Sequence, residues 1–242
     1  MCTVTFIPVK DKFFITSNRD EKFSRQQALP PAVYNINDTK IIFPKDANAG
    51  GTWVAMQQNG NAAVLLNGAF VKHIPQPKYK KSRGIVFLEI ITAATPSRYF
   101  SKIDLEGIEP FTLVLLENNK LYEYRWDGEK KYFLQVENTI PHIWSSATLY
   151  DEDVVKKREQ WFADFLQKKA VPSQEDILHF HQFTGDGDSH NDLQMDRDGI
   201  MQTVSITSMA ISQSHASMEY ADLKDNKRYQ QKIDFIPSLT EA

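Results

Sequence analysis

Runs of apolar residues alternate along this chain with polar, Gly- and Pro-rich breaks, and their lengths and periods predict strands in two groups separated by helices in two groups. Residues 2–9 are β-branched and aromatic, Lys10-Asp11-Lys12 is a polar turn, and residues 13–17 form a second apolar run, a pattern that predicts a β-hairpin. Such a hairpin returns residues 17–20 beside the start of the first strand. Residues 24–38 contain Pro30-Pro31 and many polar groups, which predicts a surface loop over the hairpin's end, placed to wall a pocket. Residues 50–56 lead through Asn59-Gly60 into an apolar run ending at Asn67-Gly68, and Asn-Gly between apolar runs signals a tight hairpin. Ala62 to Leu66 is apolar on both faces, as in a strand covered on both sides.

Helical spacing follows. Residues 82–94 place Ile85, Leu88, Ile91 and Thr92, with Val86 and Ile90, at helical spacing behind a Ser82 cap, and Pro96 opens a short second helix to about residue 103. Residues 111–117 and 121–126 predict a hairpin about Asn118-Asn119, extended by residues 132–136. Residues 151–168 predict an amphipathic helix with a stripe of Val154, Val155, Trp161, Phe162 and Phe165. A further helix is capped by Ser173 and carries Ile177, Leu178, Phe180 and His181. Residues 184–198 read as a loop, and residues 201–209, 210–220 and 229–235 as three closing strands. The simplest packing for these groups is a single α+β domain, two sheets face to face with helices outside each, an αββα sandwich.

Composition narrows the function. The 242 residues hold 28 Lys+Arg against 31 Asp+Glu, a net charge of -3 with the signs interleaved, so no nucleic-acid partner is expected. A single cysteine excludes an internal disulfide and a Cys-rich zinc site and suits a reducing compartment. Residues 1–20 lack a basic segment followed by an unbroken apolar run, and no apolar stretch is long enough to span a membrane, so a cytoplasmic protein is expected. His179 and His181 stand two apart on a helix, on different faces, and the aspartates of residues 186–198 lack the terminal Glu of a calcium loop; no metal site is expected.

The one cysteine is Cys2. Removal of Met1 would place a thiol of pKa ~8.5 beside an α-amine of pKa ~8, a nucleophile next to its own base. The predicted hairpin brings Arg19 and Asp20 of Ser17-Asn18-Arg19-Asp20-Glu21 close to it. A fixed guanidinium near sulfur favours thiolate, and a carboxylate holds an α-ammonium in place.

In this order Cys2, Ser17-Asn18-Arg19-Asp20-Glu21, Gly51-Thr52-Trp53 and Asn59-Gly60 resemble the NRDE family, also called the transport and Golgi organization family. That family in turn is similar to the N-terminal nucleophile hydrolases of the penicillin V acylase and bile salt hydrolase type, which share an αββα fold. The resemblance implies a catalytic set of Cys2 as nucleophile, Arg19 and Asp20 setting its protonation and holding its amine, and Asn67 donating to the oxyanion. A donor of that kind is worth about 3 kcal/mol in acyl transfer. Asn18, Glu21, Trp53 and Ser145 are the implied substrate-binding residues. Two departures stand out: Ser145-Ser146-Ala147 replaces the Asn-bearing segment of the acylases, and Gln202-Thr203-Val204-Ser205 lacks the arginine of many relatives. The implied activity is amide hydrolysis or acyl transfer on an acyl amide or thioester, without a cofactor. The resemblance also implies an alternative, a carrier of haem or of an acyl-CoA or lipid ligand that uses the same pocket without the reaction.

Overall fold

The computed structural model describes residues 3–37 and 39–235. Among them two seven-stranded antiparallel sheets pack face to face. One begins with the predicted hairpin, β1 (Thr3–Val9) and β2 (Lys12–Lys22), in register from Thr3 opposite Asn18 to Val9 opposite Lys12. The chain then crosses to the other sheet for β3 (Leu29–Ile36), β4 (Thr39–Lys45), β5 (Val54–Gln57) and β6 (Ala62–Asn67). Helices α1 (Arg83–Ile91) and α2 (Pro96–Lys102) cover its outer face before β7 (Phe111–Glu117), β8 (Lys120–Trp126) and β9 (Lys131–Val136) complete a meander in chain order. Asn118 and Asn119 both take positive φ, 51° and 58°, the backbone of a two-residue hairpin turn.

The return to the first sheet is β10 (His142–Ser145), which pairs β1 with Ser145 opposite Thr3. Helices α3 (Glu152–Lys168) and α4 (Gln174–Phe183) lie outside that sheet, and β11 (Asp196–Arg197), β12 (Met201–Ile211), β13 (His215–Asp222) and β14 (Lys227–Asp234) close it in the order β10-β1-β2-β12-β13-β14, β11 pairing β12. α4 starts with a full capping box between Ser173 and Asp176. The result is the four-layer αββα sandwich.

Apolar clusters hold the layers. Val4, Phe6, Ile15, Val54, Val64 and Met209 meet between the sheets; Val86, Phe87, Ile90 and Ile91 press α1 on the second sheet; Phe162, Ile177 and Phe180 press α3 and α4 on the first. Phe6 is fully buried, and truncating it to Ala would cost about 3–5 kcal/mol. Among the described residues no helix is long and apolar enough to cross a membrane.

Several boundaries differ from the sequence expectation. Much of the segment expected as a loop over residues 24–38 is strand β3, with Pro30-Pro31 at a register irregularity on the sheet's edge, where a missing N–H is tolerated. β4 and β10 were not expected as strands. Residues 201–211 run as one strand, so the turn to β13 falls at residues 212–214. The buried face of α1 is Val86, Phe87, Ile90 and Ile91, leaving Ile85 and Leu88 partly exposed.

Candidate active site

Strand alternation sends neighbouring residues of β2 to opposite sides of its sheet. Arg19 points between the sheets, its guanidinium 4.1 Å from the centre of the Trp53 ring. Asn18 points outward, to α4. Opposite Arg19 and Asp20 the register of β12 shifts between Thr203 and Ser205, a bulge at the end of the β2 ladder where side chains must be re-aimed.

On the inner side Arg19 donates to Asp46 Oδ2 at 2.7 Å, and Arg25 grips the same carboxylate with Nε and Nη2, each at 3.0 Å. Burial pushes the Asp46 carboxyl up, but the Arg25 hydrogen bond, the Ala49 N–H and the two guanidinium charges hold it below its ordinary value. Burial lowers the Arg19 pKa against the opposing charges of Glu21 and Asp46. Arg19 therefore stays a cation, fixed by a carboxylate on one edge and an indole face below.

Asp20 is equally constrained. Its Oδ2 accepts from Tyr150 Oη at 2.5 Å and its Oδ1 from Thr203 Oγ1 at 2.6 Å. The Tyr150 ring lies 3.7 Å from the guanidinium of Arg158, which is fully buried. Arg158 donates to Thr3 Oγ1 and to the carbonyls of Asn191 and Asp192, the latter two at 3.0 and 2.8 Å. Those carbonyls are presented by the acidic loop, whose aspartates accept from their own backbone, Asp192 from Asp186 N at 3.0 Å and Asp188 from His190 N at 3.2 Å.

Asn67 closes β6 and lines the same cleft as Arg19, Asp20 and Trp53, a cavity of about 490 Å³ that also touches Arg25, Asp46 and Arg83. Ser146 Oγ donates to the Asn67 carbonyl at 2.9 Å, so the segment that lacks an Asn fixes the backbone of Asn67 instead. Gly68 follows with φ 80°, and a Cβ there would meet Thr148 Cγ2 at 2.7 Å. Gly51 carries the Gly-Thr-Trp turn against the start of α1, where a Cβ would meet the Gly84 backbone at 2.4 Å.

The residues singled out in the sequence thus divide. Arg19, Asp20, Glu21, Trp53 and Asn67 line the cleft together. Cys2 lies outside the described residues; Thr3, one peptide unit away, opens β1 opposite Asn18 and Ser145. Ser145 lines a different cavity, about 730 Å³, with Trp144, Phe70 and Tyr150. Asn18 lines neither cavity. It is fully buried, donating to the carbonyls of His181 and Leu193 at 3.0 and 2.6 Å, with its Oδ1 2.5 Å from His181 Nδ1. That orientation puts the imidazole proton on Nδ1 and leaves Nε2 to accept from Thr5 Oγ1 at 2.8 Å. Burial, then the Arg158 charge, lowers the His181 pKa to about 3. His179 is exposed.

Sequence reasoning passed over Arg25, Asp46, Tyr150, Arg158 and Thr203. One signal was available for Arg158: it stands three after Val155 and four before Phe162, a cation inside an apolar stripe, which a solvated helix face does not explain.

The fold is similar to that of solved structures. A cysteine-to-alanine mutant of conjugated bile acid hydrolase from Clostridium perfringens matches with a TM-score of 0.63 at 10% identity, over 100% of this chain and 98% of that one. The Caenorhabditis elegans ortholog of N-acylethanolamine-hydrolyzing acid amidase matches with 0.60 at 12% identity, over 86% and 92%. Penicillin V acylase from Agrobacterium tumefaciens matches with 0.57 at 9% identity, over 95% and 85%. At these identities the likeness establishes the fold, that of N-terminal nucleophile hydrolases. No curated protein sequence matches the chain. The family model described as Transport and Golgi organisation 2 matches residues 1–230, nearly the whole length, and the chain belongs to that family.

Proposed function

We propose that this protein is an N-terminal-cysteine amidohydrolase or acyltransferase that takes an acyl amide or thioester through an acyl-cysteine at Cys2. One observation carries the reading: Arg19, Asp20, Trp53 and Asn67, brought from β2, the turn before β5 and the end of β6, line one cleft beside the strand pair that Thr3 opens.

In this mechanism Met1 is removed and the Cys2 α-amine accepts the thiol proton. Sγ attacks the carbonyl carbon, a C–S bond forms, and the oxyanion receives a hydrogen bond from the Asn67 amide. The scissile C–N or C–S bond then breaks, and the α-ammonium returns its proton to the leaving group. Water or a second nucleophile, deprotonated by the same amine, releases the acyl group. Asp20, held in place by hydroxyl donors from Tyr150 and Thr203, orients the amine through its remaining lone pairs; Arg19 supplies a fixed positive field that favours thiolate. Asn18 stiffens the strand that carries both.

The test is turnover of a panel of acyl amides and acyl thioesters by the native protein and by Cys2→Ala, with thermal unfolding of each. Turnover with the native protein, its abolition in the variant and an unchanged unfolding transition are expected. Turnover that survives Cys2→Ala would falsify the assignment.

A further inference from the structure

The loop that joins β6 to α1 is cationic along its length and apolar at its tip. No carboxylate occurs between Asp46 and Glu89, while residues 70–83 carry Lys72, Lys78, Lys80, Lys81 and Arg83 in a chain of net charge -3. Three of these cations are neutralised by neighbours: Lys81 by Glu89 at 2.7 Å, Arg83 by Glu109 at 3.1 Å and, more loosely, Lys80 by Glu106 at 3.8 Å. Lys72 and Lys78 form no ion pair among the described residues, and they bracket Ile74. Ile74 is 92% exposed, Val71 74% and Phe70 52%.

The loop is braced at both stems. Thr112 Oγ1 donates to the Gly68 carbonyl at 2.9 Å and Arg125 to that of Ala69, while Lys80 N donates to the Gly107 carbonyl at 2.9 Å. Pro75 and Pro77 restrict the backbone between, and Gln76 N donates to Tyr79 Oη at 2.9 Å. The tip is thus held away from the core with its apolar side chains in water. Isolated exposed apolar residues are ordinary, but Val71 and Ile74 on a braced loop, interleaved with lysines that form no ion pair among the described residues, have the composition of an interfacial anchor, while Phe70 packs at the base against Tyr132 and Arg125.

We propose that residues 70–78 dock on an anionic lipid bilayer, Val71 and Ile74 entering the headgroup boundary and Lys72 and Lys78 meeting lipid phosphates. Charge complementarity selects this occupant: a neutral surface gives the lysines nothing, and an acidic leaflet attracts each of them. The stems of the same loop line both cavities, Tyr79 to Gly84 the first and Phe70 to Lys72 the second, so docking turns both mouths toward the bilayer. If the proposed acyl chemistry holds, its substrate is then an amphiphile delivered from the membrane.

Co-sedimentation of the full chain with vesicles tests the docking without turnover, so its outcome is separate from that of the acyl-transfer reading. Binding is expected to vesicles of phosphatidylcholine with phosphatidylglycerol and not to phosphatidylcholine alone. Release is expected at about 1 M salt, where the Debye length shrinks to about 3 Å. The double variants Val71→Ser/Ile74→Ser and Lys72→Ala/Lys78→Ala should each lower partitioning about tenfold or more with unchanged unfolding. Phe133→Ser, on exposed β9, should bind as the native protein does. No binding to either vesicle, equal binding to both, or full binding by the loop variants overturns the proposal. So does self-association in vesicle-free buffer that the apolar loop variant abolishes, which would assign the tip to a second copy.

Discussion

Asn18 and Arg19 are consecutive on β2, yet their side chains enter two polar clusters of opposite kind. Outside the sheet, Asn18, His181 and Thr5 are fully buried, and their hydrogen bonds close on one another and on two carbonyls. Inside, Arg19 shares Asp46 with Arg25, whose side chain is 33% exposed, and the cluster opens on a cleft. A closed network stiffens the strand and leaves nothing to offer a ligand. An open one holds charge in place where a substrate can reach it, and the same strand supplies both. The contrast separates a closed cluster around Asn18 from an open one around Arg19.

The largest expected effect is at Asp20. In Asp20→Asn the amide nitrogen would face a hydroxyl that Tyr150 or Thr203 now donates, so turnover should fall about a thousandfold. Steady-state kinetics reads this directly, and a fall of less than tenfold would remove Asp20 from the mechanism. Asn67→Ala should lower kcat about a hundredfold while the unfolding midpoint stays near the native one, because the contact from Ser146 is to the backbone.

Asn18→Ala should do the reverse. It strands two buried carbonyls and the His181 N–H, at a cost of about 3 kcal/mol in urea unfolding, while kcat per folded molecule stays within about twofold. An activity loss as large as that of Asp20→Asn would erase the distinction between the closed cluster and the cleft.

The smallest effect is a pH dependence. His181 has a folded pKa of about 3 against an ordinary 6.5, so the unfolded chain takes up the proton first. Its contribution is complete above about 6.5 and is lost as pH falls from there toward 3, about 2 kcal/mol between pH 7 and pH 5. Asp46, held below its ordinary 3.8, adds a loss only in more acid solution. Unfolding at pH 7 and pH 5 should show that loss in the native protein and a flatter response in His181→Gln, even though the variant starts from lower stability. Parallel slopes would mean that the imidazole is charged in the fold.

Local patterns in the sequence carried far. The hairpin of β1 and β2, the Asn118-Asn119 turn, the Ser173 cap and the two-sided apolar run of β6 each depend on residues close in the chain, and each is where its pattern placed it. Arg19, Asp20, Trp53 and Asn67 were legible from motif order as one set. What stayed hidden depends on distant partners. Thr203 meets Asp20 across 183 positions and Tyr150 across 130, and no local period encodes either. Asn18 was expected at the substrate from the family resemblance, but its side chain is held by His181 and the Leu193 carbonyl, away from the cleft. Pro30-Pro31 masked β3, since prolines read as loop until the strand is known to be an edge.

A processed, activated Cys2 would show in the intact mass of the native protein before and after a thiol-reactive probe. The chain has one cysteine, so any single adduct reports on that position. The expected result is a mass lacking one methionine and fast, stoichiometric labelling. A retained methionine with a thiol that labels no faster than free cysteine would contradict the account and leave the cleft as a binding site alone.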